Sequence, residues 1–83
     1  MKKRKLLQKI LVSQQNVRFN EIVILMEAFG FRLSRISASH HIFTHPHITE
    51  NINLQNFNGQ AKSYQIRQFL KLVERYNLEM EDE

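Results

Sequence analysis

The stretch Phe31-Arg-Leu-Ser-Arg-Ile-Ser-Ala-Ser-His-His-Ile-Phe-Thr-His45 decides the fold, because within it the apolar period drops to two and β-branched and aromatic residues gather in short runs. It predicts strands over residues 31–36 and 39–45, separated by the short turn Ser37-Ala38-Ser39. A third run over residues 51–57 has the same character, with Asn51, Asn53 and Gln55 on one face and Ile52 and Leu54 on the other. Three consecutive strands need no long crossover, so an antiparallel meander is the economical arrangement.

Outward from this centre the period is helical. On the N-terminal side Ile22, Leu25, Met26 and Phe29 form an i, i+3, i+4, i+7 stripe. Asn20 is the expected cap, Phe19 stands where it can staple against Ile24, and Gly30 falls where a left-handed residue ends a helix. Further back, Leu6, Leu7, Ile10 and Leu11 share a face over residues 3–13, a short amphipathic helix whose start carries Lys2, Lys3 and Arg4 against the helix dipole and is expected to fray. Ser13-Gln-Gln-Asn16 is a polar connector. On the C-terminal side Asn58-Gly59 turns the chain, Ser63 is the expected cap, and Ile66, Phe69, Leu70 and Val73, widened by Leu72 and Tyr76, make the buried stripe of a last helix. The expected class is therefore α+β: a three-stranded antiparallel sheet with helices packed on one face, plus a short N-terminal helix. The expected organisation is an N-terminal helix and linker over 1–16, an α-β-β-β-α domain over 17–78, and an acidic tail over 79–83.

An 83-residue chain with 42% hydrophobic and 24% charged residues can build one small core, and disorder is not its default state. The longest apolar run, Ile22 to Met26, is far short of the about 20 residues a membrane span needs. The opening Met1-Lys-Lys-Arg-Lys5-Leu-Leu imitates the charged start of a signal peptide, but Gln8 and Lys9 interrupt the apolar stretch that should follow, so a cytoplasmic location is expected. The absence of cysteine excludes disulfides, thiolate metal sites and a cysteine nucleophile. Twelve basic residues oppose eight acidic ones, and half of the acids are Glu79, Glu81, Asp82 and Glu83. Ahead of that tail the excess is eight positive charges, which favours a polyanionic partner. The tail itself reads as solvated.

All four histidines lie between residues 40 and 47. On a strand, His41 and His45 would stand about 13 Å apart at ~3.3 Å per residue, too far for one zinc ion, and His40 and His41 point to opposite faces. Only His45 and His47 are placed to share an ion, and no carboxylate or thiol within the segment completes a shell, so no metal is expected. His41, His45 and His47 read as packed or solvated side chains. His40, at the start of the central strand beside the Ser39 hydroxyl, stands at the sheet rim. An imidazole there is a competent general base or acid near neutral pH.

Glu27-Ala-Phe-Gly-Phe31, Arg35-Ile-Ser-Ala-Ser-His-His-Ile-Phe43, His45-Pro46, Asn53-Leu54-Gln55 and Tyr64-Gln-Ile-Arg-Gln-Phe-Leu70 together resemble the HicA family of toxin ribonucleases, over residues 17–78. The resemblance implies a fold like a double-stranded RNA-binding domain, cleavage of messenger RNA, and neutralisation by a HicB-type antitoxin. The family signature Gly-Ser-His on the second strand corresponds to Ala38-Ser39-His40, with alanine in place of the glycine. His40 is then the expected catalytic residue, without a cofactor or small-molecule substrate. Arg35, Ser39 and Lys62 are candidate RNA contacts. Arg67 and Lys71, which with Arg75 form a like-charged row on the last helix, extend that set or form a solvated outer face. A noncatalytic RNA-binding module and a protein-docking module of the same fold are the alternatives.

Overall fold

The computed structural model describes residues 3–81. Three helices, α1 (Lys3–Val12), α2 (Phe19–Ala28) and α3 (Ser63–Arg75), surround an antiparallel meander of β1 (Arg32–Ser37), β2 (His40–Thr44), β3 (Ile52–Phe57) and β4 (Gln60–Ala61) in spatial order β1-β2-β3-β4. The class is the expected α+β with the helices on one face. The fourth strand is an addition to the expected three: Asn58 and Gly59 both take positive φ, +52° and +81°, and close a two-residue hairpin in which Phe57 pairs with Gln60. The outer edge of β4 is covered in turn by the lead-in to α2. Ala61 donates to the Val17 carbonyl at 3.0 Å, and Phe19 donates to Gly59 at 2.8 Å.

Strand alternation sorts the sheet into two faces. Phe43 pairs with Ile52, and Leu54 with His41, on the side where Ile22, Leu25, Met26, Ile66 and Phe69 close the core. α1 shares this core through Leu6 and Ile10, but Leu11, expected on the same face, is 56% exposed at the flank. In α3 the buried set is Ile66, Phe69, Leu72 and Gln65, with Leu70 and Val73 half-buried and Tyr76 at the surface. Gln65 was absent from the expected stripe. Its Oε1 accepts the Gln55 backbone N–H at 2.8 Å, where β3 runs beyond the reach of two-residue β4.

Three capping expectations are corrected. α2 is entered from Arg18, not capped by Asn20, and the Glu21 carboxylate reaches back to the Arg18 backbone N–H at 3.1 Å. Phe19 therefore lies inside the first turn and packs on the His41 ring at 4.7 Å, while Ile24 faces outward, 45% exposed, so no staple forms. Ser63 is the first helical residue after Lys62, and its hydroxyl donates to the Gln14 carbonyl at 2.9 Å, tying α3 to the connector after α1.

Gly30 ends α2 as expected. Its φ is +96°, and the paired bonds Gly30 N–H to Glu27 and Phe31 N–H to Met26 form a Schellman cap. Asn77 (φ +52°) ends α3 by the same device. Beyond it the chain stays on the body: Leu78 and Met80 pack against the core, and Glu81 donates from its backbone to Ala28 at 2.8 Å. Of the expected charged ends, Met1, Lys2, Asp82 and Glu83 lie outside the described residues. Among the described residues no helix is long and apolar enough to cross a membrane.

Candidate nucleic-acid interface on the open sheet face

The face of the sheet opposite the helices carries Arg35, Ser37, His40, Ile42, Asn53, Gln55 and Phe57, by alternation and by the pairings Arg35 with Ile42, Ile42 with Asn53, and His40 with both Ser37 and Gln55. His40 sits at the start of the central strand because a two-residue turn, Ala38-Ser39, connects it to Ser37. Ala38 holds φ at +54°, the left-handed region that glycine enters without strain. The His40 Nδ1 lies 3.1 Å from Asn53 Oδ1, a diagonal neighbour across the β2–β3 pairing. Asn53 was expected only as one of three amides on a single strand face, opposite Ile52 and Leu54. Its bond to the imidazole follows from the strand register, which the sequence does not reveal.

Arg35 belongs to the same face, brought there after a bulge at Ser34 that shifts the register between Leu33 and Arg35. Lys62, the residue before α3, places its ammonium over the exposed ring of Phe57, 5.4 Å from the centroid. Ser39 turns its carbonyl inward to accept from the Asn56 backbone and from the His41 ring nitrogen. Arg67 and Lys71 are not brought to His40. They rim a groove between α1 and α3 floored by Leu7, Phe29, Leu70 and Val73, on the helical side of the molecule. The third cation of that row, Arg75, is bound to Glu50 at 3.2 Å, and Tyr76 donates to the same carboxylate at 2.7 Å. The tyrosine hydroxyl first, with Arg75 assisting, holds the Glu50 carboxyl below its ordinary range, and the same bond pushes the Tyr76 phenol upward.

Of the remaining histidines, His41 and His45 are packed side chains, and His47 is exposed beside the His45 ring. His41 points into the helical face against Phe19, opposite to His40, as alternation requires. His45 donates from Nε2 to the Phe29 carbonyl at 3.0 Å and accepts the His47 backbone N–H at Nδ1, 3.1 Å, so both ring nitrogens are engaged by the backbone. Among the described residues no three histidine or carboxylate side chains converge in a metal-binding group.

No curated protein and no solved structure matches the chain. The family model described as HicA toxin of bacterial toxin-antitoxin matches residues 19–74, from the first turn of α2 to the last turn of α3. That span holds the whole sheet, the Ala38-Ser39-His40 turn and the α-β-β-β-α order extended by β4, and it exceeds half of the sequence. The chain belongs to the HicA family, the toxins of bacterial toxin–antitoxin pairs, with their fold resembling a double-stranded RNA-binding domain.

Proposed function

We propose that this protein is an endoribonuclease that cleaves messenger RNA without a metal, using His40 as the general base, and that a HicB-type antitoxin holds it inactive. The observation that carries the reading is the arrangement of the open sheet face: one imidazole with Nδ1 occupied by Asn53, a guanidinium from the neighbouring strand, and a lysine over an exposed aromatic ring at the far end of β3. RNA carries its own nucleophile, so an enzyme must supply only a base at the 2′-hydroxyl and positive charge at the phosphate.

In the proposed step His40 Nε2 takes the 2′-hydroxyl proton while the 2′-oxygen bonds to the adjacent phosphorus. The bond from phosphorus to the 5′-oxygen breaks, that oxygen takes a proton from solvent, and the products are a 2′,3′-cyclic phosphate and a 5′-hydroxyl end. Arg35 steadies the charge growing on the phosphate. Phe57 with Lys62 offers a base-stacking surface with an adjacent cation, and Gln55 offers an amide for base edges and 2′-hydroxyls.

The test is RNA cleavage by the wild-type chain in chelator beside a His40→Ala variant. Cleavage is expected to persist in chelator and to fall by about 10²- to 10⁴-fold in the variant with RNA affinity nearly unchanged. Undiminished cleavage by His40→Ala, or its abolition by chelator in the wild type, overturns the mechanism. Intact RNA bound equally by both chains would identify a noncatalytic module.

A further inference from the structure

We infer that Asn53 is the positioning residue of this site: its side-chain carbonyl fixes His40 in the tautomer that carries hydrogen on Nδ1, so that Nε2 is the nitrogen presented as base. The inference deepens the proposed ribonuclease reading and rests on it for its catalytic consequence, but the tautomer itself is a property of the free protein.

A carbonyl oxygen only accepts, so the 3.1 Å contact between Asn53 Oδ1 and His40 Nδ1 requires hydrogen on Nδ1 and leaves the lone pair on Nε2. The backbone ladder sets the geometry. Asn53 pairs with Ile42, and Gln55 with His40, so Asn53 reaches the imidazole along the diagonal of one sheet face. Both side chains belong to the face that the helices leave open. The two strands are already joined by their backbone pairings, so the side-chain bond is not needed to hold the sheet.

The choice of an amide also has a chemical consequence. A carboxylate at this position would favour the imidazolium over the neutral base, whereas a neutral carbonyl orients the ring without that charge. Of the neighbouring elements, β1 presents the Arg35 cation on this face, and β3 presents Asn53, Gln55 and Phe57, none of them ionisable. Lys62 lies over Phe57, and the acidic side chains Glu21 and Glu50 are engaged with Lys9 and with Arg75 and Tyr76.

The experiment combines nitrogen NMR of histidine-labelled protein with steady-state cleavage kinetics, on the wild type, Asn53→Ala and Asn53→Asp. In the neutral wild type the His40 signals are expected to show hydrogen on Nδ1, and in Asn53→Ala to move toward the opposite tautomer while the melting temperature stays within about 3 °C. The alanine variant is expected to lose ~10- to ~10²-fold in kcat with KM little changed, less than the full worth of the positioned base. Asn53→Asp is expected to retain the Nδ1–H tautomer, and the rising limb of its pH–rate profile should move to higher pH. Wild-type signals with hydrogen on Nε2, or an alanine variant whose tautomer and kcat both match the wild type, overturn the inference. Neither result bears on the His40→Ala comparison, so failure of the positioning role and failure of the ribonuclease reading are distinguishable.

Discussion

Ala38 holds φ at +54° in the two-residue turn that sets His40 at the head of β2. A Cβ in that region costs on the order of 1 kcal/mol relative to glycine, so Ala38→Gly is expected to stabilise the chain by up to that amount without lowering activity, as read by thermal melting and RNA cleavage. A clear loss of stability would show that the turn does not keep this conformation in solution. Gly30 presents the opposite case. Its φ is +96° and an added Cβ would meet His45 Nε2 at 2.9 Å, while that ring is anchored at both nitrogens by backbone groups. Gly30→Ala is therefore expected to cost roughly 1–3 kcal/mol in denaturant unfolding, combining left-handed strain with displacement of a hydrogen-bonded ring. An unchanged midpoint would show that the ring moves aside freely.

At the level of elements, α3 is attached to the sheet by a polar stitch as well as by its apolar stripe. Gln65 is 3% exposed, accepts from the Gln55 backbone and donates to the Tyr64 hydroxyl at 3.3 Å, so every polar atom of the buried amide has work. Gln65→Leu would preserve the side chain's bulk but leave the Gln55 N–H without an acceptor at the edge of β3, and should destabilise by about 1–3 kcal/mol in chemical unfolding. A neutral result would mean that water replaces the amide. This stitch explains why α3 was only partly legible in the sequence. Periodicity marks apolar stripes, and a glutamine within one gives no sign that a shortened neighbouring strand leaves it a backbone donor. The β4 hairpin, by contrast, is signalled by Asn58-Gly59 alone, because two residues, Gln60 and Ala61, are too few to display an alternation. The alternation along β2 and β3 was long enough to place His40 opposite His41 and the amides opposite Ile52 and Leu54. Which amide meets the imidazole depends on register across the 45–51 connection, and that is fixed only by packing.

At the scale of the whole molecule, four of the basic residues ahead of the tail fall on two separate surfaces. Glu21 and Glu50 draw Lys9 and Arg75 into ion pairs at 2.9 and 3.2 Å, and the Lys9 hydrogen bond is the main cause that holds the Glu21 carboxyl below its ordinary value of 4.5. A carboxyl lowered by folding stabilises the native state above its unfolded pKa and loses that contribution as pH falls through the folded one. Acid unfolding below about pH 4.5 should therefore be less steep in Glu21→Gln than in the wild type, and identical curves would remove Glu21 from the account. Once those pairs are set aside, Arg35 lies with His40 on the open face and Lys62 lies over Phe57 on the same side, whereas Arg67 and Lys71 lie along the α1–α3 groove. An antitoxin that inhibits by occlusion must cover His40, so its acidic groups should meet Arg35 and Lys62 first. Its association rate should fall by about 10-fold or more between low and high ionic strength. Arg35→Gln should reduce that rate and flatten its salt dependence, while Arg67→Gln with Lys71→Gln should change it less at physiological ionic strength, since those charges lie along the groove on the helical side. Equal association rates at low and high salt would exclude electrostatic docking altogether. A slowing confined to the Arg67 and Lys71 variant would place the partner on the helical groove, where occlusion of His40 could not be the means of inhibition.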